Sequence, residues 1–584
     1  MSQGVVQDKV TTALLGALNG AKKKGQLKTE AWPTLSLDAP KRPEWGDLAS
    51  TVAMSLASSE QRAPHDIAQI IIENLSQREQ LFERVEIVRP GFLNLTVKPA
   101  LWQEVLREIE SQGAAYGRAD LGQRRRVLVE YVSANPTGPL HVGHGRGAAV
   151  GQAVASLLEA VGYDVVSEYY INDAGRQMKL LGASVYARYQ ELSGRAVAFP
   201  GDGYHGTYIT AVAERIKQQL GDAAGEPAPD DLEARCRALA YQELLGLIRD
   251  DLQSFGIEFQ SWFSEATLLE SKAVERVLDE LRSRGLLFEQ EGAWWFRSST
   301  FGDEKDRVVK KQDGEYTYLA ADIAYHHDKL QRGYDLLIDV WGADHHGYIP
   351  RMQAVMQAYG HPKERLQVVL VQLVKLLRAG VEVKMSKRTG EFITMRDVID
   401  EVGADAAKFF FLMRDSKSHL EFDLELAKQR SADNPVYYVQ YAHARIASLW
   451  RVAESRGIAC PWPSQADLTV LTDPDELGLI RKLSAYPSVL QASAVGYEPH
   501  RMTYYLQQVA ALLHTFYNKH RILPPAADKD VFEPPLPGVA SCEETQREAL
   551  SPERTAARLA LMRGVQQVIK SGLGILGISA PDRM

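Results

Sequence analysis

The chain has 584 residues, 45% of them hydrophobic and 24% charged, with a formal net charge of −8. That length exceeds the roughly 250 to 300 residues one hydrophobic core sustains, so two to four domains are expected. The composition excludes a disordered chain, the lack of any long apolar run excludes a spanning helix, and the acidic balance argues against nonspecific coating of nucleic acid.

Basic groups confined to one face remain compatible with RNA binding, and Lys22, Lys23, Lys24, Lys28 and Arg124 to Arg126 are candidates, although such runs are more often solvated surface. The start lacks a charged segment leading into an apolar one, so a cytoplasmic protein is expected. Cys236, Cys460 and Cys542 lie far apart with no CxxC pair, which disfavours a disulfide framework or a thiolate zinc site.

In chain order, a helical stretch gives way to strand patterns at Val85 to Val88 and Phe92 to Val97 around a Pro90-Gly91 turn, with Leu93, Leu95 and Val97 alternating to one side. This reads as a small α+β domain over residues 1–116. An apolar strand, Val127 to Val132, then passes through a Pro/Gly-rich turn into a helix over Gly147 to Val161, the opening of a nucleotide-binding α/β sheet. From about Gly194 to Gly256 the pattern turns helical and polar, as expected of an insertion. The sheet resumes at Ala293 to Phe296, Leu336 to Trp341 and Val368 to Leu373, which closes a second domain over 117–433. Residues 434–584 read as an all-helical domain, interrupted by the proline loop Pro524 to Pro537.

Two motifs carry chemistry. In Pro139-Leu140-His141-Val142-Gly143-His144-Gly145, at the turn from strand to helix, free N–H groups and the helix dipole favour phosphate. Gly143 and Gly145 let a nucleotide approach the backbone, and His141 and His144 share one side of the helix, able to donate to an α-phosphate. They also read as metal ligands, but no third ligand is near. A chance HxGH tetrad is expected in roughly 2% of chains this long. Far downstream, Lys384-Met385-Ser386-Lys387-Arg388 places ammonium groups in a loop that can close on β- and γ-phosphates. Both together, in this order, are expected by chance about once in ten thousand chains.

HVGH and KMSKR resemble the two signatures of class I aminoacyl-tRNA synthetases. The flanks Val129-Glu130-Tyr131-Val132-Ser133-Ala134-Asn135-Pro136-Thr137-Gly138 and Ile171-Asn172-Asp173-Ala174-Gly175 are similar to the arginyl members. The resemblance implies a Rossmann-like α/β catalytic domain with an insertion, preceded by a small α+β domain that reaches the tRNA elbow and followed by an all-α anticodon-binding domain. It implies a ligase that makes arginyl-adenylate from ATP, carried with Mg²⁺ and no resident metal, and passes arginine to tRNA(Arg). It further implies a monomer, whose activation step itself needs tRNA. Many arginyl enzymes lack the lysines of the second signature, which this chain retains whole.

Carried over residue by residue, His141, His144, Lys384 and Lys387 are catalytic, and Gly143, Gly145, Gly342, Asp344, His345, Met385 and Ser386 lie against ATP. Glu130, Tyr318 and Asp322 hold the arginine side chain, with Ser133 and Asn135 nearer its α-amino and carboxylate groups. Carboxylates suit that task, because a guanidinium wants planar bidentate acceptors. Glu130 as a solvent-facing strand residue and Tyr318 as a core aromatic are the bland alternatives. Asp344, His345 and His346 also read as metal ligands, but adjacent histidines on a turn point apart. On the RNA side, Phe92 and Asn94 face away from Leu93 and Leu95, while Tyr437, Tyr441 and Arg445 share a helix face. Packing of these aromatics into cores stays open. The rivals are an adenylyl transferase of another specificity and a noncatalytic paralogue, which would have lost at least one signature histidine or lysine.

Overall fold

The computed structural model describes residues 4–40, 42–220, 229–383, 393–524 and 550–584. The first helix, Val5–Lys23, and those at Val52–Glu60, Pro64–Glu73 and Pro99–Gln112 share a core with an antiparallel sheet of β1 (Leu37–Asp38), β2 (Leu48–Ser50), β3 (Phe82–Val88) and β4 (Phe92–Val97), in the order β1-β2-β4-β3. Leu93, Leu95 and Val97 are buried, as their alternation predicts.

The central sheet is built from β5 (Arg126–Glu130), β6 (Asp164–Ile171), β7 (Ser261–Ser264), β11 (Leu336–Gly342) and β12 (Leu366–Val371), all parallel, in the order β12-β11-β5-β6-β7. Val127, Leu128 and Val129 of central β5 are each at most 1% exposed, the continuous apolar run that a strand covered on both faces requires. From β5 the chain steps outward to β6 and β7, then returns to the other side for β11 and β12. The connections therefore diverge above the carboxyl ends of β5 and β11 and leave a crevice there.

One expected strand lies elsewhere. Ala293–Phe296 is β9 of a separate antiparallel sheet, between β8 (Leu287–Gln290) and β10 (Arg307–Lys310). Glu291 and Gly292 both have positive φ, 54° and 74°, and form the two-residue turn that folds β9 back on β8. The strands β13 (Val374–Arg378), β14 (Val381–Glu382) and β15 (Leu420–Asp423) make a third small sheet.

The helical insertion begins before residue 194. Helix Gly175–Leu192 packs with Thr207–Leu220 and Pro229–Ser254 around Leu181, Val185, Val212 and Leu244, a core separate from that of the sheet. The chain ends in helices Pro435–Ser455, Pro474–Ser484, Tyr486–Gly496, His500–Lys519 and Pro552–Ile575, with the expected proline loop lying almost wholly outside the described residues. One core runs from Val6 to Ile578 and unites the first domain, one side of the five-stranded sheet and these helices. Tyr116, at the end of the first domain, donates its hydroxyl to Leu483 O of helix Pro474–Ser484 at 3.1 Å. Lys408, its pKa drawn down to about 8 by burial, joins Gly256 O and Gly577 O at 3.3 and 2.9 Å.

Candidate active site at the sheet crevice

At the carboxyl end of β5 the backbone turns sharply. Val132 and Ser133 hold φ of 68° and 41°, left-handed values that cost non-glycine residues about 1–3 kcal/mol each. Two hydrogen bonds hold the turn, since Ser133 Oγ donates to Glu130 Oε1 at 2.9 Å and accepts from Tyr170 N at 3.1 Å. Asn135 follows, half-buried.

The chain then enters helix Val142–Ala160, capped by the signature histidines themselves. His141 Nδ1 accepts from Gly143 N at 3.1 Å, and His144 Nδ1 reaches back to accept from His141 N at 3.2 Å. The rings stack with centroids 3.7 Å apart. Because both Nδ1 atoms are acceptors, each neutral ring carries its proton on Nε2, the form that donates to a phosphate oxygen. The glycines serve packing as much as access. A side chain at Gly143 would strike the His141 ring at 2.9 Å, while Gly145 is buried against Phe411 and Met395, so its smallness lets the helix close on its neighbours. One residue on, the buried Arg146 guanidinium donates to Gln372 O, Ser418 O and Asp415 O at 2.8, 2.8 and 3.0 Å, tying this helix to the segments that flank β13 and β15.

Beneath the crevice lies a charged network that the sequence reading did not assemble. Lys329, fully buried, donates to Glu130 Oε2 at 2.5 Å and Asp339 Oδ1 at 2.8 Å, and His326 Nε2 meets Asp339 Oδ2 at 2.9 Å. Burial works against charge in both acids. Lys329 and His326 together hold Asp339 well below the usual carboxylate range, whereas burial and the Asp339 charge raise Glu130 despite Lys329. Glu130 is thus neither solvent-facing nor unpaired. Two further carboxylates border the crevice. Asp322 is raised by burial despite the Tyr348 hydroxyl that donates to it. Glu265 is 9% exposed, with Oε2 buried and lacking a hydrogen-bond partner among the described residues. Burial, then the Asp322 charge, push its pKa up to about 7, with Tyr170 opposing and Asp173 adding to the rise.

Glu265, one residue past the end of β7, went unnoticed in the sequence, and Asp173, two past the end of β6, was read only as part of a family-like flank with no site role. The usable signal was position, because ligands in open α/β sheets bind at strand carboxyl ends. Tyr318 is 73% exposed at the start of helix Tyr318–Gln331, one turn before Asp322. The core-aromatic reading of Tyr318 is therefore wrong. Gly342, Asp344, His345 and His346 form an exposed turn after β11, with Asp344 and His345 3.7 Å apart. Lys384, Met385, Ser386 and Lys387 lie outside the described residues.

The RNA-facing expectations change more. Asn94 is only 4% exposed, because β4 is an inner strand and Ala49 of β2 lies across from it; Phe92 is half-buried. Tyr441 is 5% exposed and stacks on His514, so it fills a core, and Arg445 lies over the Tyr517 ring at 3.9 Å. Tyr437 remains half-buried and lines an open polar cleft of about 450 Å³ with Gly403, Lys428 and Arg430. Arg125 and Arg126 are engaged by Tyr163 and Tyr334.

The family described as "tRNA synthetases class I (R), catalytic domain" matches residues 105–446. The arginine–tRNA ligase of Citrifermentans bemidjiense is 47% identical over 99% of this chain and 100% of its own length. The chain belongs to the arginyl-tRNA synthetase family. Residues 7–97 match the arginyl tRNA synthetase N terminal domain and 439–584 the DALR anticodon binding domain. The arginine–tRNA ligase of Nitratidesulfovibrio vulgaris is 47% identical, covering 95% of this chain and 96% of its own. A solved Campylobacter jejuni structure, 34% identical, superposes with a TM-score of 0.72 over 84% of this chain and 100% of its own. The Thermus thermophilus arginyl-tRNA synthetase, 21% identical, shares the fold at a TM-score of 0.71 over 98% of this chain and 100% of its own. The fold is that of the family: a small α+β domain, a Rossmann-like catalytic domain with a helical insertion, and an all-α end.

Proposed function

We infer that the crevice above β5 and β11 is where this chain activates arginine with ATP before passing it to tRNA. The observation that carries this reading is the carboxylate group at the crevice, with Glu265 keeping an oxygen that nothing among the described residues satisfies. A buried carboxylate without a partner costs several kcal/mol, and a guanidinium bound in a planar fork offsets that cost. Asp322 and Glu265 are the carboxylates for the guanidinium, Tyr318 closes over it, and Glu130, braced by Lys329, belongs with Ser133 and Asn135 to the wall that faces the α-amino and carboxylate end.

ATP lies along the start of helix Val142–Ala160, with Gly342, Asp344 and His345 on its other side. The arginine carboxylate attacks the α-phosphorus, the bond to pyrophosphate breaks, and His141 and His144 donate through Nε2 to the charge that builds there. Lys384 and Lys387 serve the departing pyrophosphate. The 2′-hydroxyl of the terminal adenosine of tRNA then displaces AMP from the arginyl carbonyl. Mg²⁺ accompanies ATP as its counterion, and no resident metal is needed. The tRNA meets the helical domain through the cleft beside Tyr437. The chain acts as a cytoplasmic monomer. No helix among the described residues is long and apolar enough to cross a membrane.

The test is charging of total bacterial tRNA by the purified protein with arginine, lysine, glutamine and cysteine in parallel. Charging with arginine alone is expected. Charging with any of the other three, or with none, would overturn this reading.

A further inference from the structure

Among the described residues, two tyrosines of the helical insertion reach segments that border the crevice. Tyr208, on helix Thr207–Leu220, donates its hydroxyl to Thr137 O at 2.9 Å, and its ring lies so close over Gly138 that a Cβ there would stand 3.1 Å from it. That contact falls on the loop between Asn135 and the signature histidines. Tyr241, on helix Pro229–Ser254, donates to Asp173 Oδ2 at 3.1 Å. Asp173 in turn accepts from the Ser264 hydroxyl at 2.7 Å and from the Ala266 backbone N–H at 3.0 Å, and so holds the two residues that flank Glu265. Burial pushes the Tyr241 pKa up to about 12 and that of Tyr208 higher still, so both hydroxyls remain protonated donors at neutral pH.

We propose that the insertion is part of the frame of the amino-acid pocket, with Tyr208 and Tyr241 as positioning residues: Tyr241 fixes Glu265 through Asp173, and Tyr208 fixes the loop bearing Ser133 and Asn135. This rests on reading the crevice as the arginine pocket. The insertion has its own core, which makes it a rigid support whose side chains can hold two loops in register. Neither tyrosine touches substrate. Both act on the geometry of groups that do, and a displacement of about 1 Å in such a group lowers its binding contribution severely.

The experiment compares steady-state charging by Tyr241→Phe, Tyr208→Phe and Glu265→Gln, with Arg215→Ala as a control that breaks a half-buried ion pair within the insertion. Tyr241→Phe is expected to raise the arginine KM about tenfold, and Tyr208→Phe about threefold, with the ATP KM within about twofold of the parent and thermal unfolding unchanged. The proposal is overturned if Tyr241→Phe leaves the arginine KM unchanged while Glu265→Gln raises it, or if arginine KM, ATP KM and unfolding temperature all shift together, as a merely structural role would require. An arginine KM unmoved by Glu265→Gln would instead defeat the pocket assignment beneath it.

Discussion

Glu168 and Glu265 stand on or just beyond neighbouring strands, β6 and β7, and both are deeply buried, yet their surroundings are opposite. Glu168 accepts from both amino groups of Arg332, from Tyr325 Oη at 2.6 Å and from Ser261 Oγ at 2.7 Å. Burial is outweighed by the Arg332 guanidinium and these hydroxyls, and its pKa falls. Glu265 has Tyr170 and the repulsion of Asp322, and its pKa rises to about 7. The first region is closed, its charge neutralised within the chain. The second is left incomplete among the described residues, as the proposed guanidinium site requires.

Breaking the closed region should cost most. Arg332→Met leaves Glu168 buried without its counter-ion and should destabilise the chain by about 3–5 kcal/mol, read as a lower thermal unfolding temperature, with the arginine KM of the folded fraction within about twofold of the parent. A large change in arginine KM would erase the distinction between the two acids. Next in size, His141→Ala and His144→Ala should each slow arginine activation by about 10² to 10³ fold, measured by pyrophosphate exchange, as expected for the loss of a donor used in the transition state. Intact rates in both would remove them from the chemistry.

Glu265→Gln should raise the arginine KM by about 10 to 100 fold while sparing ATP, the loss typical of a hydrogen bond to a charged group. The same acid makes the unliganded protein pH-sensitive. Its folded pKa lies above the ordinary 4.5, near 7, so between those values the folded chain holds a proton that the unfolded chain has released. Raising the pH through that window therefore removes stability, and Glu265→Gln should flatten this slope in thermal unfolding measured from pH 5 to 8. The smallest effect is expected on the RNA side, where Tyr437→Ala should raise the tRNA KM a few fold and Asn94→Ala should act only through stability.

The sequence revealed some parts of this better than others, for physical reasons. The strand, turn and helix around the histidines were legible because an apolar run and a Gly/Pro turn dictate them, but the histidine cap that starts the helix at Val142 rather than Gly147 was not. Ala293–Phe296 showed its strand character but not its partner, since alternation does not say which sheet a strand joins. Asp339 sits in the apolar strand Leu336–Gly342, and an acid in such a run is a mark of pairing, but its partner Lys329 becomes visible only once the helix packs over the strand. Helical spacing placed Tyr437, Tyr441 and Arg445 on one face without showing that helix His500–Lys519 covers most of it. Glu265 needed the sheet order, because only that brings the end of β7 into the neighbourhood of Asp322.

The most direct test of the central claim is the proton balance of arginine binding. Calorimetric titration of arginine at pH 7, in two buffers of different ionisation enthalpy, should show net proton release on binding, and Glu265→Gln should diminish that release. Identical heats in the two buffers for the unmodified protein would mean that Glu265 does not ionise to meet the guanidinium, and would contradict the account.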